Sequence, residues 1–261
     1  MNKFKKICII GSGNVAKNLA YALSKTQNFS IYIWARDKEK LDDLATFVGA
    51  KVFDFQKVRH PDEILFILCI KDDAINTVAK QFLENLGNQI HLVHTSGTAT
   101  KDSLGVVEHY GVFYPLQTFT RDLLMNFDEI PICITSNSVE FSSKLELVAQ
   151  EISKKVKLIS DEDRAVIHLS AVFANNFTNR MIAIAQQILK DKNIESEIIN
   201  PLISETFRKI QLNNPTDIQT GPAKRKDLNT INKHINMLKN LNKNWMEIYE
   251  KISNDIMDHY K

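Results

Sequence analysis

The sequence contains few of the residues that interrupt secondary structure or form disulfide cross-links. Its 261 residues include only 8 glycines, 6 prolines and 3 cysteines. This composition is typical of ordinary globular proteins and excludes collagen-like, disulfide-rich and low-complexity classes. Cys8, Cys69 and Cys133 each lie inside an apolar run. We therefore expect buried, reduced thiols rather than disulfides or a zinc site, as in a cytoplasmic protein.

The sequence also lacks an excess of one charge and any long apolar run. Lys and Arg total 33 against 31 for Asp and Glu, and the near-balance holds on both sides of residue 160, so nothing favours a nucleic-acid or anionic-membrane partner. No run approaches the roughly 18 to 20 apolar residues that span a bilayer. The apolar residues after the basic start end at Gly11, too early for a secretory signal.

Several catalytic signatures are absent as well. The sequence contains no metal-ligand spacing, no GxSxG nucleophile elbow, no P-loop and no CxxC pair. Hydrolase, kinase and disulfide-exchange functions therefore have no support in it.

Short apolar runs alternate with amphipathic helical segments through the first 160 residues. The runs are mostly continuous rather than alternating, which is typical of strands buried on both faces of a parallel sheet. They cover residues 6–10, 30–34, 50–53, 64–70, 90–94, 112–113, 130–134 and 156–159. Beyond the acidic stretch 160–163, apolar residues recur at helical steps of three and four. The sequence predicts an α/β Rossmann domain over residues 1–160 and an all-α domain over 161–261.

A glycine-containing turn joins the first predicted strand to a helix. The segment Gly11-Ser12-Gly13-Asn14-Val15-Ala16 matches the GxGxxG/A dinucleotide-binding fingerprint in the context that it requires. Gly11 permits a tight turn, Gly13 lets the backbone approach a pyrophosphate, and Ala16 lets the helix pack closely. We expect residues 11–15 to bind a dinucleotide at the helix N-terminus. The alternative is a glycine turn that binds nothing.

The end of the second strand favours NADP(H) over NAD(H). NAD-binding folds usually place an acidic residue there, about 20 residues after the glycines, for the ribose hydroxyls. Here the expected acidic position is Ala35, and Arg36 follows it. A guanidinium could pair with a 2'-phosphate and stack on the adenine. Two alternatives stay open: Asp37 binds the ribose, or Arg36 is a solvated loop charge.

The ends of the next two strands supply further candidates. Ile70, Lys71 and Asp72 lie where the nicotinamide ribose usually rests, and His94 and Ser96 lie at the following strand end. We expect the first three to contact the cofactor, His94 to contact substrate and Ser96 to take part in catalysis. The alternatives are a surface lysine, a helix N-cap at Asp72 and a turn whose hydroxyls bond the local backbone.

A polar stripe interrupts the helix predicted from residue 161. His168 and Asn175 are seven residues apart and would share one α-helical face, with Asn176 beside them. Histidine can supply a proton near neutral pH. We expect His168 and Asn176 to be catalytic and Asn175 to bind substrate. A structural histidine bonded to a backbone carbonyl is the alternative.

A Gly-Pro turn presents three cations ahead of the last helices. In Gly221-Pro222-Ala223-Lys224-Arg225-Lys226-Asp227, Arg225 is a candidate for binding a substrate carboxylate or for reaching a partner subunit's site. Asp227 is predicted to cap the helix that follows. A solvated basic cluster is the alternative.

Four elements in this order resemble one bacterial family, which pairs a Rossmann-like domain with a C-terminal domain of unknown function 2520. The elements are His-Thr-Ser-Gly at 94–97, Tyr-Pro-Leu-Gln-Thr-Phe at 114–119, Asp163-Arg164-Ala165 with His168 and Asn176-Phe177, and Gly221-Pro222-Ala223 with Arg225 and Asp227. The family is similar in layout to pyrroline-5-carboxylate reductase, ketopantoate reductase and the 6-phosphogluconate dehydrogenase superfamily. The resemblance implies a helical dimerisation domain like that superfamily's C-terminal domain, and NADP(H).

The chain departs from this family at two positions. Tyr114 stands where the family often has His before the proline, and Lys226 stands where it often has Gly. The first departure weakens a catalytic assignment for position 114, and the second permits a different turn.

Together these features predict an NADP(H)-dependent oxidoreductase that moves hydride to or from a small C=O or C=N substrate held between the domains. The alternatives are a dinucleotide-binding sensor or scaffold without turnover, and a fold that binds no ligand. Long apolar faces on the C-terminal helices favour a homodimer, although a single helical core could also absorb them.

Overall fold

The computed structural model describes residues 4–120 and 123–260. Contacts divide the chain into two compact units, of which the first runs to Val172 and the second begins at Phe173. This division lies twelve residues beyond the predicted boundary at residue 160. The helix that begins at Asp161 belongs to the first unit, because it is tied there by the buried side chain of Arg164.

An eight-stranded sheet forms the centre of the first unit, with one strand for each apolar run. The strands are β1 (Lys6–Ile10), β2 (Ser30–Trp34), β3 (Lys51–Val52), β4 (Ile64–Leu68), β5 (His91–His94), β6 (His109–Pro115), β7 (Ile132–Ser136) and β8 (Val156–Leu158). Their order is β3-β2-β1-β4-β5-β6-β7-β8. This order confirms the predicted Rossmann fold.

One strand pair departs from the predicted parallel sheet. Strands β6 and β7 are antiparallel, whereas all other neighbouring strands are parallel. A parallel pair needs a crossover connection, usually a helix, and an antiparallel pair does not. The described part of the segment between β6 and β7 contains no helix, which is consistent with the reversal.

Helices flank the sheet and make up most of the second unit. They are α1 (Asn14–Lys25), α2 (Lys38–Val48), α3 (Ile75–Leu86), α4 (Val139–Ala149), α5 (Asp161–Ala171), α6 (Thr178–Lys190), α7 (Asn200–Leu212), α8 (Pro215–Ile218), α9 (Leu228–Lys239) and α10 (Lys243–His259). A π-helix, Val172–Phe177, connects α5 to α6. Within the described residues, no helix is long and apolar enough to cross a membrane.

Both faces of the sheet are covered by apolar clusters. In β1, Ile7 and Ile9 join the cluster that includes residues of α1, α2 and α4, while Cys8 and Ile10 join the cluster that includes residues of α3. All four side chains are fully buried. Burial of successive residues on opposite faces explains why the run is continuously apolar.

The three cysteines are buried and free, as the apolar runs predict. Burial raises the pKa of Cys8 well above its ordinary value and that of Cys69 to about 12. Because the thiolate is the reactive form, these thiols are poor nucleophiles at neutral pH.

Candidate functional site

The turn after β1 approaches the neighbouring strand so closely that glycine alone fits at its first position. Gly11 has φ +122°. A Cβ atom there would overlap the carbonyl oxygen of Cys69 and lie 3.1 Å from its carbonyl carbon. The amide of Gly11 also donates to the carbonyl oxygen of Trp34 at 2.8 Å. The turn is thereby fixed at the point where the strand order reverses, which is where α/β proteins bind ligands.

Gly13 faces open space instead. It precedes α1, and among the residues that the structure describes no side chain caps that helix and none lies within 4 Å of a Cβ atom built on Gly13. Ser12 is half-buried, Val15 packs against the core, and the Asn14 amide donates to the carbonyl oxygen of Phe119 at 3.0 Å. Uncapped N–H groups, the positive end of the helix dipole and an open approach suit an anionic phosphate.

An exposed guanidinium follows β2. Arg36 is exposed and has no hydrogen-bond or ion-pair partner among the described residues. Asp37 caps α2 by accepting from the backbone N–H of Lys40 at 3.2 Å, and it pairs with the Lys40 ammonium at 2.8 Å. The hydrogen bond from the Lys40 side chain and the cap lower the pKa of Asp37. Asp37 is therefore engaged locally, and Arg36 is available for a ligand.

A hydroxyl network joins the segments that follow β4 and β5. The Ser96 hydroxyl donates to the Asp72 carboxylate at 2.7 Å, and the Thr98 hydroxyl donates to the same oxygen at 2.9 Å. The Ser96 oxygen also accepts from the backbone N–H groups of Thr98 and Ala99. A hydroxyl has one proton and two lone pairs, so all three are used on Ser96. This arrangement does not fit the expected catalytic role of Ser96. The Ser96 hydroxyl instead stabilises the loop after β5.

His94, the last residue of β5, also contacts the loop that follows this strand. It is fully buried, its Nδ1 accepts from the Ser96 backbone N–H at 3.2 Å, and its Nε2 lies 3.1 Å from the carbonyl oxygen of Thr100. These contacts place the single ring proton on Nε2. Burial lowers the pKa of His94 to about 4. The expected substrate contact is therefore corrected: both ring nitrogens are already occupied and the ring is out of a ligand's reach.

The residues after β4 differ in exposure. Ile70 is half-buried and packs against the apolar cluster that includes residues of α3, whereas Lys71 and Asp72 are exposed. Asp72 starts a 3-10 helix ahead of α3, and its side chain binds the β5 loop instead of capping a helix. A cofactor role for these three residues stays a prediction.

A buried arginine fixes α5 against the sheet. The Arg164 guanidinium donates to the Asp161 carboxylate at 2.6 Å, to the Thr135 hydroxyl at 3.0 Å and to the Ala99 carbonyl oxygen. Its Nε has no partner among the described residues. Burial opposes the charge of Asp161, but hydrogen bonds from Arg164 and Lys101 lower the pKa of this carboxyl. The pair joins the helix, β7 and the β5 loop.

One turn after Arg164, α5 places His168 beside the carboxyl ends of β5 and β6. His168 is half-buried, and its Nδ1 lies 3.0 Å from the Tyr114 hydroxyl oxygen. Tyr114 is only 9% exposed, and burial raises its pKa to about 12. Gly97 leaves room for the ring, since a Cβ atom there would overlap Nδ1 and lie 2.6 Å from Cγ. The structural alternative for His168 predicted a backbone carbonyl as its hydrogen-bond partner, but the partner in the structure is the Tyr114 hydroxyl.

The remaining candidates lie in the second unit. Asn175 and Asn176 are exposed in the π-helix, without a hydrogen-bond partner for either side chain among the described residues. The expected common face of His168 and Asn175 assumed an uninterrupted α-helix. Because a π-helix turns less per residue, the seven-residue spacing no longer predicts that face.

The basic turn of the second unit has the predicted cap. Asp227 accepts from the Thr230 backbone N–H at 3.1 Å and from its hydroxyl at 2.7 Å. Arg225 is exposed. Lys226 has φ +55°, a left-handed conformation that glycine adopts without steric cost. The residue that departs from the resembled family therefore keeps a glycine-like turn.

Comparison with known proteins assigns the chain to a family. Residues 6–96 match the model described as NADP oxidoreductase, coenzyme F420-dependent, and residues 130–256 match the domain of unknown function 2520. A Bacteroides fragilis protein named for an inferred NADP oxidoreductase activity has 37% identity and a TM-score of 0.87, with 97% of this chain and 98% of that chain covered. The chain therefore belongs to the oxidoreductase family that joins a Rossmann-like domain to a domain of unknown function 2520.

More distant structures share the fold. A Thermotoga maritima protein has 21% identity and a TM-score of 0.79, with 97% and 98% of the two chains covered. Pyrroline-5-carboxylate reductase from Streptococcus pyogenes has 16% identity and a TM-score of 0.55, with 98% of each chain covered. The resemblance to that reductase in layout is thus confirmed. No curated protein sequence matches the chain significantly.

The two glycines of the turn should respond differently to alanine. At Gly13 the methyl group enters open space, so we expect Gly13→Ala to shift the melting temperature by less than about 2 °C. The same methyl group would lie in the phosphate approach and weaken NADPH binding about tenfold or more. Gly11→Ala meets the Cys69 carbonyl and a positive φ, and should cost more than about 2 kcal/mol of stability.

Calorimetric melting and NADPH titration of both variants provide the measurement. Unchanged NADPH affinity in a folded Gly13→Ala protein would show that the turn does not bind the dinucleotide.

Proposed function

We propose that the protein is an NADP(H)-dependent oxidoreductase acting on a small C=O or C=N substrate. The observation that carries the proposal is the open approach at Gly13 to the uncapped N-terminus of α1. Membership of an oxidoreductase family supports it.

The described residues fit a dinucleotide along the carboxyl edge of the sheet. Residues 11–15 would hold the pyrophosphate through backbone N–H groups. Arg36 would bind the 2'-phosphate by charge-assisted hydrogen bonds. Ile70, Lys71 and Asp72 follow β4, the strand next to β1, and would adjoin the nicotinamide end. When bound, the nicotinamide supplies the hydride chemistry, and the protein supplies orientation and proton transfer.

His168 is the residue that we assign to proton transfer. It is half-buried beside the loop that follows β5, and its Nε2 has no hydrogen-bond partner among the described residues. An imidazole N–H could donate to the oxygen or nitrogen of a substrate double bond. The related fold of a pyrroline-5-carboxylate reductase makes imines a reasonable substrate class beside carbonyl compounds. Asn175, Asn176 and Arg225 remain substrate-site candidates.

Arg36 should determine the cofactor preference. Titration calorimetry of the intact protein should show tighter binding of NADPH than of NADH. Arg36→Ala should lower NADPH affinity roughly 10- to 100-fold, the loss expected for charged hydrogen bonds, and leave NADH binding nearly unchanged.

Arg59→Ala is the matched control, because it also removes an exposed arginine. Arg59 precedes the amino end of β4, whereas Arg36 follows the carboxyl end of β2. NADPH affinity should be unaffected there. A preference for NADH that depends on Asp37 would contradict the assignment of NADP(H), and binding of neither dinucleotide would contradict the proposed function.

We also propose a homodimer formed through the second unit. Its buried apolar residues, among those described, are only Ile184, Ala223, Ile231 and Leu238, while Ile198 and Leu202 are 69% and 67% exposed. A helical unit with so small a core and large exposed apolar side chains is typical of a subunit interface.

Sedimentation analysis should give about twice the chain mass of 29.9 kDa. Leu202→Glu in α7 should shift the protein toward a monomer, because it buries a charge in the interface. Gln211→Glu adds the same charge nine residues later, on the opposite side of the helix, and should leave the dimer intact. A wild-type monomer would contradict the proposal.

A further inference from the structure

Two elements of the first unit contact one histidine on a third. Strand β6 contributes the Tyr114 hydroxyl, the loop after β5 contributes Gly97, and α5 contributes His168 itself. Position 114 is also where the chain departs from the resembled family. The phenol thus has a specific neighbour that the sequence alone does not reveal.

The direction of the Tyr114–His168 hydrogen bond follows from burial. Tyr114 is buried, and His168 Nδ1, 3.0 Å from its hydroxyl oxygen, is the hydrogen-bond partner of that hydroxyl among the described residues. Burial raises the pKa of Tyr114 to about 12, so the phenol keeps its proton at neutral pH. A buried hydroxyl proton needs an acceptor, and a neutral imidazole offers one at Nδ1.

We propose that Tyr114 is a positioning residue that donates its hydroxyl proton to His168 Nδ1 and thereby holds the neutral imidazole with its own proton on Nε2. The ring then presents an N–H donor at the nitrogen that has no protein partner among the described residues. This inference rests on the proposed function for its chemical meaning, since the donor serves the substrate of a reductase.

The pair also provides a balanced route for the proton. A substrate oxygen or nitrogen that requires a proton would take it from His168 Nε2. Nδ1 would take the phenolic proton of Tyr114 at the same time, which would leave a phenolate. Return of that proton to the phenolate and uptake of one solvent proton at Nε2 restore the pair. One solvent proton is consumed for each hydride transferred.

Gly97 is part of the same arrangement. A Cβ atom at position 97 would lie 2.6 Å from His168 Cγ and 3.1 Å from its Cβ, which is closer than carbon atoms pack. Any larger residue there must displace the imidazole from Tyr114. The arrangement therefore requires both the phenol on β6 and the missing side chain in the β5 loop.

Nitrogen NMR of the full chain tests the hydrogen bond without any cofactor. Two-bond proton–nitrogen correlation spectra of ¹⁵N-histidine-labelled protein above pH 8 distinguish protonated from unprotonated ring nitrogens. The His168 signals are identified by their loss in His168→Gln. We expect a protonated Nε2 and an unprotonated Nδ1 whose resonance is displaced by an accepted hydrogen bond.

Tyr114→Phe keeps the ring but removes the donor, so the displacement of Nδ1 should vanish and the second tautomer should appear. Gly97→Ala should give the same change with Tyr114 intact. Tyr110→Phe is the matched control, because it removes another hydroxyl from β6 that lies 3.4 Å from Asp102. The His168 signals should not change in that variant.

Two results would overturn the inference: a wild-type His168 protonated on Nδ1, or a His168 spectrum unchanged by Tyr114→Phe. Because the spectra are recorded without dinucleotide, they are independent of the NADPH titration. A correct spectrum with no NADPH binding would reject the oxidoreductase and keep the pair, and the reverse outcome would reject the pair alone.

Discussion

The site depends on the buried guanidinium of Arg164. It bonds the Asp161 carboxylate at the start of its own helix, the Thr135 hydroxyl on β7 and the carbonyl oxygen of Ala99 in the β5 loop. A buried charge without its partner costs on the order of 3–5 kcal/mol, so the three pieces are strongly held in one arrangement. His168 lies one helical turn further along α5 and is thereby fixed over that loop.

The loop after β5 is also fixed by polar contacts from the ends of β4 and β5. His94, neutral and buried, accepts from the Ser96 backbone, and the Ser96 hydroxyl reaches Asp72 after β4. The segments that follow β4 and β5 and the start of α5 are thus joined by polar contacts, most of them partly buried. The glycine turn lies after β1, the strand next to β4. A dinucleotide on that turn would run along this edge, and preorganised polar groups of this kind are what hydride transfer requires from a protein.

The sequence predicted the sheet well because burial on both faces produces continuous apolar runs, as in Ile7 to Ile10. It predicted the turn because the GxGxxG/A spacing stands in consecutive residues, directly between an apolar run and a helical segment. It failed where a role depends on contacts that only the folded chain forms. The Ser96 hydroxyl is bound by Asp72, and the ring of His94 is bound by the Ser96 backbone N–H and the Thr100 carbonyl oxygen. The pairing of Tyr114 with His168 spans 54 positions and has no local signal. The π-helix at 172–177 could not be predicted either, because the apolar spacing was compared with the α-helical period of 3.6 residues.

Hydride transfer itself can be measured to test whether the protein is an NADP(H)-dependent oxidoreductase. Purified protein would be incubated with NADPH carrying deuterium at C4 and a panel of cyclic imines, keto acids and aldehydes, with products examined by mass spectrometry. We expect oxidation of NADPH together with deuterium on the former double-bond carbon of at least one compound class. Tight NADPH binding without transfer to any class would contradict it and identify a dinucleotide-binding protein without turnover.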